Sequence, residues 1–141
     1  MSATAPSLTD EQIFKATRDC IDAWNTLDVE ATLATYTDDV VYRDPKTRGK
    51  IVGKDDLRRY LTKFFKVWDF QFTVTEEYRL EGRDAQMCMW SADLTHRAGG
   101  ETITLHGMDI CEVRGSQLSR DEAFMDTLPL VPLMEAAQKQ Q

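Results

Sequence analysis

From Trp68 to Met125 the apolar residues recur at every second position, whereas before Trp68 they recur at every third or fourth. That change of period constrains the fold more than any other feature, because a period of two builds sheet faces and a period near 3.6 builds helix faces. Trp68, Phe70, Phe72 and Val74 alternate with Asp69, Gln71 and Thr73, a half-buried strand running toward Leu80. After a turn at Glu81-Gly82-Arg83-Asp84, residues 85–95 repeat the pattern, with Cys88, Trp90, Ala92 and Leu94 on one side. A loop at Arg97–Gly100 leads to a third strand over residues 101–113, and Arg114-Gly115-Ser116 is a tight connection to a last strand from Gln117 to about Met125. Consecutive hairpins of this kind imply an antiparallel meander.

The preceding half is helical. Thr9 and Gln12 have the spacing of a capping box, and Ile13, Thr17, Cys20, Ile21 and Trp24 follow on one helical face. Asp28 is placed to cap a second helix through about Tyr36, with Val29, Leu33 and Tyr36 inward and Asp38-Asp39 as its breaker. A short apolar strand, Val40 to Asp44, is stopped by Pro45. A third helix spans about Asp55 to Lys66, burying Leu57, Tyr60, Leu61, Phe64 and Phe65. Leu128–Pro132 leads into a short C-terminal helix. Residues 1–9 and 138–141 are expected to fray and 134–141 to form a C-terminal tail, which leaves one domain over 10–133. Three helices packed on a curled antiparallel sheet make an α+β fold, and curling opens an apolar pocket between the layers. Its expected aromatic lining is Trp24, Tyr36 and Tyr42 from the first part of the chain, and Tyr60, Phe64, Trp68, Trp90 and Phe124 from the rest.

Composition narrows the function. A net charge of −7 over 141 residues argues against general nucleic-acid binding, which depends on neutralising phosphates. The charge is uneven: residues 43–66 carry nine basic and three acidic residues, so this segment is locally +6. It reads either as a solvated helix face with its turn or as a docking place for an anionic ligand or acidic partner. Three cysteines, Cys20, Cys88 and Cys111, are odd in number and sit in apolar segments, as buried free thiols do in a reducing compartment. No stretch approaches the roughly 18 apolar residues of a membrane span. A cytoplasmic protein without membrane contact is expected. His96 and His106, the two histidines, are in no compact ligand spacing, and there is no phosphate-binding glycine loop, so neither a metal nor a cofactor is expected.

The strand over residues 103–113 places Asp109 among Ile103, Leu105, Cys111 and Val113, while His106, Met108 and Ile110 share the other face. An acid in such company must be paired, protonated or functional. Asp44 ends an earlier apolar strand in the same way. Two acids delivered by strands to one interior suggest acid/base chemistry on a small apolar molecule.

Trp24-Asn25-Thr26-Leu27-Asp28, then Tyr36 through Pro45, Gly53, Gly107 through Gly115, and Asp126 through Leu130 resemble the SnoaL and ketosteroid-isomerase branch of the NTF2-like superfamily. The resemblance covers roughly residues 10–133 and implies a cone-shaped α+β domain, a homodimer packed through the outer sheet surface, and a cofactor-independent reaction. It also implies roles. Asp44 falls where ketosteroid isomerase has its general base, and Asp109 where that enzyme has a protonated acid in its oxyanion hole. The oxyanion-hole tyrosine is replaced by Cys20 and a supporting tyrosine by Leu61. The polyketide-cyclase relatives instead pair a last-strand aspartate with a histidine on the strand before, positions near Asp121 and His106. On a regular pleat only one of His106 and Asp109 can face the pocket, and the apolar company of Asp109 favours the aspartate. The expected activity is proton transfer at carbon, as in an isomerase, cyclase or lyase, on an apolar cyclic or aromatic substrate. The alternative is a non-catalytic binding or assembly module of the same fold.

Overall fold

The structure, a computed structural model, describes residues 7–133 and Glu135. Thr9 caps helix α1 (Asp10–Thr26) reciprocally: its hydroxyl accepts from the Gln12 backbone N–H, and the Gln12 side chain accepts from the Thr9 N–H. Ser7 and Leu8 are tied down as well, because their backbone N–H groups donate to the Asp84 carboxylate. Fraying as far as Thr9 is therefore corrected; residues 1–6, residue 134 and residues 136–141, with the expected tail, lie outside the described residues. Asp28 caps α2 (Val29–Leu33) through the Ala31 N–H.

α2 stops three residues short of the helix expected to reach Tyr36. Strand β1 (Tyr36–Arg43) takes over, since the Thr35 carbonyl accepts from the Leu118 N–H and Tyr36 pairs with Leu118. Here sheet pairing overrides a local helical pattern. After β2 (Ile51–Val52) and α3 (Lys54–Val67) come β3 (Trp68–Arg79), β4 (Ala85–His96), β5 (Ile103–Arg114) and β6 (Gln117–Met125), then a 3-10 turn at Leu128–Leu130. The fold is α+β, with a six-stranded, curved and unclosed sheet in the order β2-β1-β6-β5-β4-β3. β3 to β6 form the expected antiparallel meander, but β1 lies parallel to β6, so the sheet is mixed rather than purely antiparallel.

The helices cover the inner face of the sheet, and Trp24 sits at the centre of the packing. Its ring stacks on Tyr42 at 5.9 Å and meets Phe65 edge-on and Phe70 tilted, both at 5.6 Å. Ile13, Leu57 and Leu61 are fully buried beside it.

One irregularity decides which side chains of β6 face inward. Val113 pairs with Leu118, yet Glu112 pairs with Arg120, so Ser119 is an extra residue on β6. Leu118 points inward, and strict alternation from there would turn Phe124 inward and Asp121 outward. The bulge resets the alternation: Asp121 and Ala123 are buried, and Phe124 is 49% exposed on the outer face. This corrects the expectation that Phe124 lines the pocket. No helix is long and apolar enough to cross a membrane.

Candidate functional site

A cleft lies between the helices and the inner sheet face, with about 770 Å³ of space between its atoms, open solvent at its mouth included. Trp24, Phe64, Phe72, Trp90 and Leu105 give it apolar walls, and Asp44, Asp109 and Asp121 all reach it.

Asp109 is presented by β5 and pairs across the sheet with Cys88 and Ala123. Two residues earlier, Gly107 pairs with Trp90. A Cβ at Gly107 would lie 2.7 Å from Cζ2 and Cη2 of Trp90 and 2.7 Å from the Phe124 carbonyl oxygen. The bare glycine therefore lets the indole lie over β5, where its Nε1–H donates to Asp109 Oδ1 at 2.8 Å. A side chain at 107 would displace the donor that fixes Asp109.

Asp121, delivered inward by the bulge, accepts from the Tyr36 hydroxyl at 2.6 Å, and Tyr36 in turn accepts from Trp24 Nε1–H at 2.8 Å. The Cys111 thiol donates to the other carboxylate oxygen at 3.7 Å. One ligating atom from each of Asp109, Cys111 and Asp121 lies within 4.8 Å of the other two. Burial pushes the Asp109 carboxyl well above the usual carboxylate range; the charge of Asp121 and a hydrogen bond shared with it push the same way. Asp109 is therefore biased toward its protonated form, in which it can donate. The same three residues are the group among the described residues closest to a metal-ligand set. However, Cys111 is also held protonated, chiefly by its hydrogen bond with Cys88 and by burial, so a cation would have to displace two protons.

Asp44 follows β1 directly and forms a separate polar cluster. The hydroxyls of Tyr42 (2.7 Å) and Tyr60 both donate to Oδ2, and the Lys46 backbone N–H donates to Oδ1 at 2.7 Å. Three donors around one carboxyl group suit an acceptor-only carboxylate, which has about four lone-pair positions. Burial first, and the charge of Asp44 second, hold both phenols above their ordinary range, so they stay donors.

Among the sequence-derived lining residues, Cys20, Trp24, Tyr42, Phe64 and Trp90 reach the cleft. Tyr36 and Tyr60 stand behind it as donors to Asp121 and Asp44. Trp68 packs against His96 at 4.9 Å instead of lining the cavity, because its ring is taken up by the outer end of β4. His106 is exposed on the opposite face of β5; the register is unbroken from Ile103 to Glu112, so the pleat carries it away from Asp109. The alternative pair of Asp121 with His106 is thus not assembled, and Asp121 meets Asp109 instead. The sequence reading assigned no place in the pocket to Lys46, Met125 or Leu130, all of which line it. The one signal for Lys46 was its position directly after the Asp44-Pro45 turn.

A buried acid pair in an apolar cleft beneath a curved α+β sheet fits the NTF2-like fold. The chain belongs to the family with a SnoaL-like domain, which it matches over residues 17–120. Among solved structures it is similar to TerC co-crystallised with polyporic acid (19% identity, TM-score 0.76, covering 88% of this chain and 98% of that one). It is also similar to a candidate isomerase from Bacillus subtilis (15%, TM-score 0.80, 89% and 94%). A third such structure is a candidate polyketide cyclase from Xanthomonas campestris pv. campestris (15%, TM-score 0.75, 86% and 96%). At these identities the likeness is one of fold. No curated protein sequence matches the chain.

Proposed function

We propose that the protein is a cofactor-independent enzyme that moves a proton at carbon in an apolar cyclic or aromatic substrate, as an isomerase, cyclase or lyase does. The observation that carries this reading is a carboxyl buried in the apolar cleft, Asp109, which burial biases toward its protonated form, with Asp44 and Asp121 lining the same cleft. In this reading Asp44 removes a proton from a carbon next to a carbonyl, using the acceptor position its three donors leave free. Asp109, oriented by Trp90, donates a hydrogen bond to the oxygen on which charge develops. Before substrate binds, that proton is shared with Asp121, and in this reading it turns from Asp121 to the substrate oxygen. The solved relatives named as a candidate isomerase and a candidate polyketide cyclase support the class of reaction.

The reaction takes place in a homodimer in a reducing, cytoplasmic setting. The support is the exposed Tyr78, Met89 and Phe124, which a second copy would cover, and three buried free cysteines. Sedimentation showing a monomer at micromolar concentration would remove the dimer.

The test pairs melting shifts with turnover across steroids, aromatic polyketides, enones and phenolic diols, on wild type, Asp44→Asn and Asp109→Leu. A compound that stabilises all three proteins and is converted by wild type alone supports the reading, and its structure names the reaction. Equal binding to all three with no conversion of any compound makes the chain a binding module. A greater loss in Asp121→Asn than in Asp44→Asn transfers the base role to Asp121.

A further inference from the structure

The basic segment from Arg43 to Lys66 contains one cation that behaves unlike its neighbours. Lys54 pairs with Asp38, Arg58 with Glu30 and Arg59 with Asp56, all at the surface. Lys46 turns inward instead. Its side chain lines the cleft, half-buried, and its ammonium stands over the ring faces of Phe64 and Trp68, at 5.0 and 4.7 Å from their centroids.

Among the described residues, no carboxylate oxygen lies within the 4.0 Å of an ion pair with this ammonium. Asp44 is two residues away, but Tyr42 and Tyr60 occupy its Oδ2, and the backbone of Lys46, not its side chain, holds its Oδ1. The aromatic faces stabilise the cation without using its three N–H donors. A cation so placed is expensive unless a partner supplies negative charge. Burial already pulls its pKa below the ordinary lysine range, against the pull of Asp44. Asp44 acts on this ammonium only through space, and the hydrogen bonds of Asp121 go to Tyr36 and Cys111, so the ammonium donors are left facing the cleft.

We infer that Lys46 is the anion-recognition residue of the cleft and that its substrate is a flat ring acid, with a carboxylate or ionised enol oxygen on Lys46 and apolar rings against Trp24 and Trp90. The inference rests on the reading of the cleft as a substrate site and narrows its substrate class. Pro45 beside Lys46 is exposed, so this end of the cleft opens to solvent, and the charged end of the ligand stays near water while its rings enter. The same contact would hold an enolate in place during proton transfer.

The experiment measures dissociation constants of two matched pairs, 2-naphthoate with 2-naphthamide and anthracene-2-carboxylate with its amide, by calorimetry at neutral pH. Each pair is measured on wild type, Lys46→Met and Lys46→Arg, with melting temperatures to establish that each variant is folded. Wild type is expected to prefer the acid at least ~10-fold, Lys46→Arg to keep most of that preference, and Lys46→Met to bring it to about one. The wild-type preference should also fade as pH rises, below the pH at which an ordinary lysine loses its proton. An equal preference in wild type and Lys46→Met, or no binding of either pair up to its solubility limit, overturns the inference. Acid-selective binding without turnover of any compound leaves the anion site standing and removes the catalytic reading. Turnover of a neutral substrate by wild type, with no preference for either acid over its amide, removes the anion site and leaves the catalytic reading standing.

Discussion

Asp121 and Glu122 are consecutive residues of β6, 3% and 5% exposed, and the protein treats their charges in opposite ways. Glu122 faces outward and is met by cations: Arg120 at 2.8 Å, with Lys50 at 3.9 Å. The Arg120 hydrogen bond holds its carboxyl below the usual range, so Glu122 is an ordinary paired anion. Asp121 faces inward and meets a phenol, a thiol and a second acid, with no cation among the described residues within ion-pair distance. The consequence appears on Asp109, whose carboxyl is held high. Equal burial therefore says little about an acid's role. What surrounds it says more: a carboxyl held above its usual range in an apolar cleft is what proton-transfer chemistry requires.

The largest effect that would separate the two faces is on turnover. Asp44→Asn is expected to lower the rate constant of the converted substrate by about 10²–10⁴-fold, the usual range for a lost general base. Glu122→Gln should stay within about threefold, and comparable losses in both would erase the distinction. Asp109 provides a finer cut on the same scale. Asparagine can accept from Trp90 and still donate with its amide, so Asp109→Asn should cost under about tenfold, while Asp109→Leu, which cannot donate, should cost about 10²-fold or more. Equal losses would mean that Asp109 works by ionising and not by donating.

Stability against pH should separate the faces by sign. The Asp109 pKa is raised on folding, so its ionisation works against the folded state as pH climbs from the unfolded value near 4 toward the folded one. The stability of Asp109→Asn relative to wild type is expected to grow with pH, by up to about 1.4 kcal/mol per unit within that window. The Glu122 pKa is lowered, so its contribution is present above about pH 4.5 and fades as pH falls through the folded value. Glu122→Gln should thus cost about 1–3 kcal/mol at pH 7 and progressively less in acid. Urea denaturation between pH 3 and 9 checks both; parallel profiles would contradict the contrast. Gly107→Ala is expected to cost a similar amount, about 1–3 kcal/mol, from overpacking. The same substitution should shift the indole N–H resonance of Trp90. An unmoved resonance would show that the strand yields without disturbing the donor to Asp109.

Much of this was legible in the chain. The capping box at Thr9 and Gln12, the switch of period at Trp68 and the alternation around Asp109 are local patterns, and each produced the element it implied. Asp109 inward and His106 outward followed from the pleat alone. The partners of the acids could not be read in this way. Trp90 meets Asp109 across two strands, Tyr36 meets Asp121 across 85 residues, and Tyr60 meets Asp44 from helix α3.

Sequence by itself determined the layers, the order of most elements and one inward acid, because periodicity and capping act over a few residues and carry their own geometry. Tertiary structure alone decided that Tyr36 leaves its helix for a parallel pairing with β6 and that Ser119 bulges, turning Asp121 in and Phe124 out. It also decided that Lys46 folds back over two aromatic rings. A bulge moves one residue and reverses every side chain after it, and its position is set by the registers of the two neighbouring strands, which no window along a single strand contains.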